Sequence, residues 1–160
     1  MCGIFVLISE AKLNKEEANH VLKLGMSRIA HRGPDGDGAW VDPDGNAAFG
    51  HVRLAIIGLS DGKQPMQLHN GRYTITFNGE IYNYIELRDE LKKEGYRFET
   101  GSDTEVLIKV LDCWGEKGIN KLEGMWAFYY FNHKKKIGIL SRDRFGEKPL
   151  FYYQDKNEFI

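Results

Sequence analysis

Cys2 follows the initiator methionine, so removal of Met1 leaves a thiol and a free α-amine on one residue. Methionine aminopeptidase acts efficiently when the second residue is small, as cysteine is. An α-amine has a pKa of about 7.7–8.0 and a thiol about 8.5. The amine can therefore take the thiol proton near neutral pH and return it to a leaving group. One residue would supply both nucleophile and base, and no histidine is required. None of the five histidines lies at metal-ligand spacing to another, and no metal site is assigned. Met1-Cys2-Gly3 alone is equally compatible with a small buried cysteine.

Acyl transfer from an amide also needs donors for the developing oxyanion. Asn78-Gly79 follows the alternating run Tyr73, Ile75, Phe77 and can offer a side-chain amide beside a backbone N–H. The competing reading is an Asn-Gly turn at a strand end. Arg53 lies inside an apolar strand, where a planar fork pairs well with a carboxylate. A structural ion pair would explain it as well. Asp103, just inside a helix start, could face a ligand ammonium or simply complement the helix dipole.

These residues need elements to position them. Ile4 to Ile8 reads as a buried strand that ties the N-terminus into the core, unlike a fraying terminus. Ala18, Val21, Leu22, Gly25, Met26, Ile29 and Ala30 recur at helical spacing after a cap near Asn14. The stretch Gly33–Gly38 reads as a loop. Strands are expected at 39–41, 47–51 and 52–57, then a half-buried strand at 73–77 that turns at Asn78-Gly79. A helix follows over 84–94. Ser102-Asp103-Thr104-Glu105 has the form of a capping box before a helix with Val106, Leu107, Val110, Leu111 and Trp114 on one face. Strands at 125–131, 137–141 and 150–153 complete an α+β pattern. Cys113, Trp40 and Trp126 read as core.

Several classes are excluded. With 22 Lys+Arg against 23 Asp+Glu, nothing electrostatic favours nucleic acid or an anionic membrane. The basic run Lys134–Lys136 reads as a solvated hairpin tip. No stretch approaches the ~20 apolar residues of a membrane span, and Ile4–Ile8 is too short for a signal peptide. Two cysteines imply no disulfide framework, and the cytoplasm is the default compartment. Gly58–Lys63 fails the spacing of a phosphate-binding loop.

Read together, Cys2-Gly3-Ile4, HRGPDGDG at 31–38, GHVRLAIIGLSDGKQPM at 50–66, NGEIYNY at 78–84, GSDTEV at 101–106, LEGMWAF at 122–128 and RDRFGEKPLFYY at 142–153 cover nearly the whole chain. In this order they resemble the glutaminase domain of glutamine-hydrolysing asparagine synthetases, which are class II glutamine amidotransferases. The resemblance implies a four-layer αββα sandwich of two antiparallel sheets between helices, the N-terminal nucleophile hydrolase fold. It implies that Cys2 attacks glutamine and forms a γ-glutamyl thioester, with Asn78 and the Gly79 N–H holding the oxyanion. It gives the α-carboxylate to Arg53, the α-ammonium to Glu80 and Asp103, and the pocket wall to Leu54, Ala55, Ile56 and Ile57. It makes His31–Asp35 a signature loop and 142–149 support for the pocket or a domain interface.

The resemblance also implies a longer parent chain, with a C-terminal ATP-dependent synthetase domain that uses ATP and Mg and consumes the ammonia. No cofactor is expected in residues 1–160 themselves. Aspartate is the commonest acceptor in the family, and other carboxylates are the alternative. Val52-Arg53-Leu54-Ala55-Ile56 departs from the Thr-Arg-aromatic-small-Thr stretch of the amidophosphoribosyltransferases and glucosamine-6-phosphate synthases. Two further readings stay open: a non-catalytic glutamine-sensing module, and a hydrolase of another amide. The oligomeric state is open, a homodimer included.

Overall fold

The computed structural model describes residues 1–56 and 61–160. The chain runs through β1 (Gly3–Ser9), α1 (Lys15–Ile29), a 3-10 turn (Ala30–Arg32), β2 (Gly36–Val41), β3 (Ala47–Arg53), β4 (Met66–Leu68) and β5 (Tyr73–Ile81). It continues through α2 (Tyr84–Lys93), α3 (Asp103–Trp114), a 3-10 segment (Gly115–Lys121), β6 (Gly124–Asn132), β7 (Ile137–Arg142) and β8 (Glu158–Phe159). The strands form two four-stranded antiparallel sheets, in the orders β2-β3-β1-β8 and β4-β5-β6-β7.

Apolar layers bind the sheets and helices into the expected αββα sandwich. Leu7 and Ala48 pack against Ala18 and Leu22 of α1. Val6, Ala47 and Phe49 of the first sheet meet Tyr129 and Phe131 of the second. Ile75, Phe77 and Phe128 pack against Leu87 of α2 and Leu107 of α3. Successive side chains on a strand point to opposite faces, so a strand covered on both sides reads as one apolar run. That is why Ile4–Ile8 lacks alternation.

Several local expectations change for the same reason. The strand at 73–77 was expected to be half-buried, yet Thr74 and Thr76 are fully buried, because their face meets the first sheet. Thr76 Oγ1 donates across the layer to the Gly50 carbonyl at 3.4 Å. Asn78-Gly79 is no turn: β5 continues to Ile81, with Gly79 opposite Trp126. A Cβ on Gly79 would sit 2.1 Å from the Met125 carbonyl oxygen, so glycine here serves a close strand approach. Gly36–Gly38 belong to β2, paired with His51–Arg53, and do not continue the loop. Leu150–Tyr153 is not a strand; only Tyr153 exchanges backbone bonds with Ile160.

The helix caps divide likewise. Asn14 accepts from the Glu16 and Glu17 N–H groups while Glu17 accepts from the Asn14 N–H, a complete capping box. At α3, Ser102 accepts from the Glu105 N–H, but Glu105 turns away. Its carboxylate takes the Glu99 and Thr100 N–H groups and pairs with Lys109. α3 is buried on every side from Asp103 to Leu111, where a single apolar face was expected. Cys113 is half-buried and Trp126 is core. Lys134–Lys136 form an exposed tip between β6 and β7.

Asp143 organises the segment after β7. Its buried carboxylate accepts from the N–H groups of Trp126 (3.2 Å), Phe145 (3.1 Å), Glu147 (2.9 Å) and Lys148 (2.9 Å). Burial alone would raise its pKa, but these donors outweigh burial and hold it below the usual aspartate range. The stabilisation is therefore present above the unfolded pKa and lost as pH falls through the lower native value. Asp143→Ala strands these donors and should cost about 2–4 kcal/mol in urea or guanidinium unfolding. Asp143→Asn should fall between. A loss near zero for the alanine variant would show that the segment is held by other contacts.

Candidate active site

The register of β1 with β3 sets Gly3 opposite Val52 and so brings Cys2 beside the end of β3. Cys2 Sγ accepts from the Leu54 N–H at 3.3 Å and donates to the Leu54 carbonyl at 3.4 Å. Arg32 Nε donates to the Cys2 carbonyl at 3.0 Å. The loop at 31–35 thus grips Cys2 by its backbone. The same loop holds the next stretch of chain. The Asp35 N–H donates to the Arg53 carbonyl at 2.9 Å, and Asp35 Oδ2 accepts from the Ala55 N–H at 2.8 Å. Gly33 lies so close to the Val52–Arg53 backbone that a Cβ would fall 2.3 Å from the Arg53 nitrogen.

β5 supplies the opposite wall. Asn78 is 3% exposed, and its Oδ1 has no hydrogen-bond partner. The preceding Phe77 is fixed by Gln64, whose Oε1 accepts from its N–H at 2.6 Å and whose Nε2 donates to its carbonyl at 3.0 Å. Gln64 in effect extends the pairing of β4 along β5 to the brink of Asn78. Past Gly79 comes half-buried Glu80, then Ile81, whose N–H donates to Asp103 Oδ2 at 3.1 Å. Asp103 is 5% exposed. Burial pushes its carboxyl up to about 6, against backbone N–H groups that pull it down, with the Glu80 charge adding to the rise.

A cavity of about 60 Å³ joins the two walls. Cys2, Arg53, Leu54, Ile56, Asn78, Gly79, Glu80 and Asp103 all line it. Ala55 does not, since its N–H is turned to Asp35. Ile57 lies outside the described residues, as does Gly58–Ser60 of the stretch that fails as a phosphate loop. Among the described residues no group of three or more His, Cys, Asp or Glu could hold a metal ion, and no helix is long and apolar enough to cross a membrane.

The cavity also includes His51 and Gln64, to which the sequence analysis gave no role, together with Met1 and Lys148. Lys148, 7% exposed, places Nζ 3.3 Å from Met1 Sδ. The retained methionine therefore sits in the cavity it must leave. His51 lies two residues from Arg53 on the same strand, so period-2 alternation would have put both on one face. Nothing in the local sequence marked Gln64, whereas Lys148 falls in the 142–149 segment that the resemblance set beside the pocket or a domain interface.

The whole chain, residues 1–160, matches the glutamine amidotransferase domain family. It is 42% identical over 153 residues to asparagine synthetase [glutamine-hydrolyzing] 1 of Bacillus subtilis, an alignment covering 95% of this chain and 24% of that protein. It is 42% identical over 178 residues to putative asparagine synthetase [glutamine-hydrolyzing] 2 of Methanocaldococcus jannaschii, covering 100% of this chain and 33% of that protein. The chain thus spans about a quarter to a third of the length of these relatives. The fold is shared with the glutamine phosphoribosylpyrophosphate amidotransferase of B. subtilis, solved with ADP and GMP. The TM-score is 0.77 at 21% identity, over 98% of this chain and 40% of that one. The chain belongs to the glutamine amidotransferase domain family, as a domain similar to the glutaminase part of glutamine-hydrolysing asparagine synthetases.

Proposed function

We propose that this domain hydrolyses L-glutamine to L-glutamate and ammonia through a thioester on Cys2. The ammonia passes to an ATP-dependent synthetase domain of the same parent chain, with aspartate as acceptor and asparagine as product. ATP and Mg belong to that second domain, and this one needs no cofactor. The observation that carries the glutaminase step is the convergence of Cys2, Arg53, Asn78, Gly79 and Asp103 on one cavity. The acceptor is supported by relatives whose names are those of asparagine synthetases.

The chemistry begins when Met1 leaves. While Met1 is attached, the Cys2 nitrogen is a peptide amide and cannot take a proton, and Met1 occupies part of the cavity. In the mature chain the α-amine takes the thiol proton and sulfur attacks the side-chain carbonyl carbon of glutamine. Asn78 Nδ2 and the Gly79 N–H hold the oxyanion. The C–N bond then breaks, the nitrogen keeps the electron pair and receives the proton from the α-amine, and ammonia departs. Water attacks the thioester by the same route in reverse, and glutamate leaves.

Specificity comes from the far end of the substrate. Arg53 forks onto the α-carboxylate, Glu80 and Asp103 face the α-ammonium, and Leu54 and Ile56 shape the wall. An amide without both charges would strand these groups, which is how polar sites reject near-isosteres. This favours a free amino acid over a peptide.

Mature protein should release glutamate from glutamine, and Cys2→Ala should lose roughly 10³-fold or more of that rate while still binding glutamine; equal rates would end the reading. Arg53→Ala should raise KM at least about tenfold with kcat less affected, since an unpaired carboxylate is expensive to bury; an unchanged KM would remove Arg53 from the site. Asp103 binds its proton more tightly in the native than in the unfolded chain. Its ionisation therefore lowers stability as pH rises toward and past about 6, and this effect is absent below the unfolded value of 3.8. Asp103→Asn should melt higher than wild type at pH 8, with the gap closing by pH 4. In wild type, KM for glutamine should rise as pH falls through about 6, because the ammonium loses its carboxylate partner. A flat KM profile from pH 5 to 8 would place Asp103 outside the binding set.

A further inference from the structure

Two buried acceptor atoms in the cavity wall have no hydrogen-bond donor: His51 Nε2 and Asn78 Oδ1. His51 is 1% exposed, in the middle of β3. Burial is the main cause that lowers its pKa to about 4, opposed by a hydrogen bond to the Phe77 backbone and assisted by the Arg53 charge. The ring is neutral at physiological pH and carries one N–H. A bond that raises the pKa is one in which the ring donates to the Phe77 carbonyl. The remaining nitrogen, Nε2, is then a bare lone pair. Buried acceptors without donors are rare in folded proteins and call for an occupant.

Of the donors already in the cavity, the Asn78 amide and the Gly79 N–H face the oxyanion in the glutaminase reading, and the Gln64 amide is spent on the Phe77 carbonyl. Glutamine brings donors of its own: its side-chain NH2 has two N–H bonds, on the atom that must leave. This inference rests on the glutaminase reading above. We propose that His51 Nε2 accepts a hydrogen bond from the side-chain amide nitrogen of glutamine and holds that nitrogen as it departs as ammonia.

His51 neither gives nor takes a proton in this scheme. The C–S bond forms, the C–N bond breaks, and the nitrogen is protonated from the Cys2 α-amine while one of its N–H bonds stays on His51. A neutral acceptor suits both NH2 and NH3. It also disfavours the γ-carboxylate of glutamate, which has no hydrogen to offer at neutral pH, and so aids product release.

The test compares glutamine with the γ-methyl ester of glutamate, whose leaving oxygen carries no hydrogen. His51→Phe keeps the ring shape and removes the acceptor. It should lower kcat/KM for glutamine about tenfold to a hundredfold and leave the ester within about twofold of wild type. His51→Gln, which can place an oxygen near the Nε2 position, should restore much of the glutamine rate. If phenylalanine is not accommodated, His51→Leu gives the same ratio. An equal loss on both substrates, or no loss on glutamine, overturns the proposal. Wild-type protein inactive on both substrates would instead overturn the glutaminase reading, and this inference with it.

Discussion

The role proposed for Cys2 requires a chain terminus that is held still, and the hydrogen bonds between β1 and β3 hold it. β1 begins one residue after Cys2 and lies inside its sheet, with β3 on one side and β8 on the other. Termini ordinarily fray because nothing repays their ordering entropy. Here the ladder from Gly3↔Val52 to Ile8↔Ala47 and two buried faces supply that compensation. Register matters as much as rigidity. A one-residue slip would turn every side chain of β1 to the opposite face and carry Cys2 away from Leu54.

The site keeps a set of groups that a core would normally avoid. Asp103 is buried with a raised pKa, Asn78 Oδ1 and His51 Nε2 are buried without donors, and Lys148 is buried beside a thioether. Each lowers stability compared with a packed apolar residue. The surroundings offset this with fully bonded polar groups: Asp143 with its backbone N–H donors, Gln64 on both sides of Phe77, and Glu105 with its loop and Lys109. Rigid, satisfied groups around unsatisfied ones are what preorganisation requires. The cavity cannot relax onto its own orphan atoms, so they remain available to a ligand.

Chemistry was more legible in the sequence than geometry. Cys2, Arg53, Asn78 and Asp103 could be named as candidates from residue type and neighbours, each with a structural reading beside it, and the ordered motifs of the resemblance then gave them roles. The structure gathers them at one cavity. The part of β5 around Asn78-Gly79 was misread because a dipeptide that favours turns also suits a strand pressed against a neighbour's carbonyl. Thr74 and Thr76 were expected at a surface because period 2 tells one face from the other, not whether the second face is covered. Gln64 was invisible because its position depends on contacts far along the chain. The same limit explains the signature loop, whose grip on Cys2 and Ala55 spans more than local sequence can show.

The site is built from both sheets, and this makes the sandwich itself a ruler. Cys2, His51 and Arg53 come from the first sheet; Asn78, Gly79 and Glu80 come from the second. Sheets packed face to face stand roughly 10 Å apart, and side chains at that spacing can meet around one small substrate without a loop to close the gap. What sets the spacing lies away from the chemistry, in the layer where Phe49 and Tyr129 meet with ring centroids 5.8 Å apart. The same fold recurs in an amidotransferase only 21% identical, so the two facing sheets do not depend on most of this chain's particular side chains.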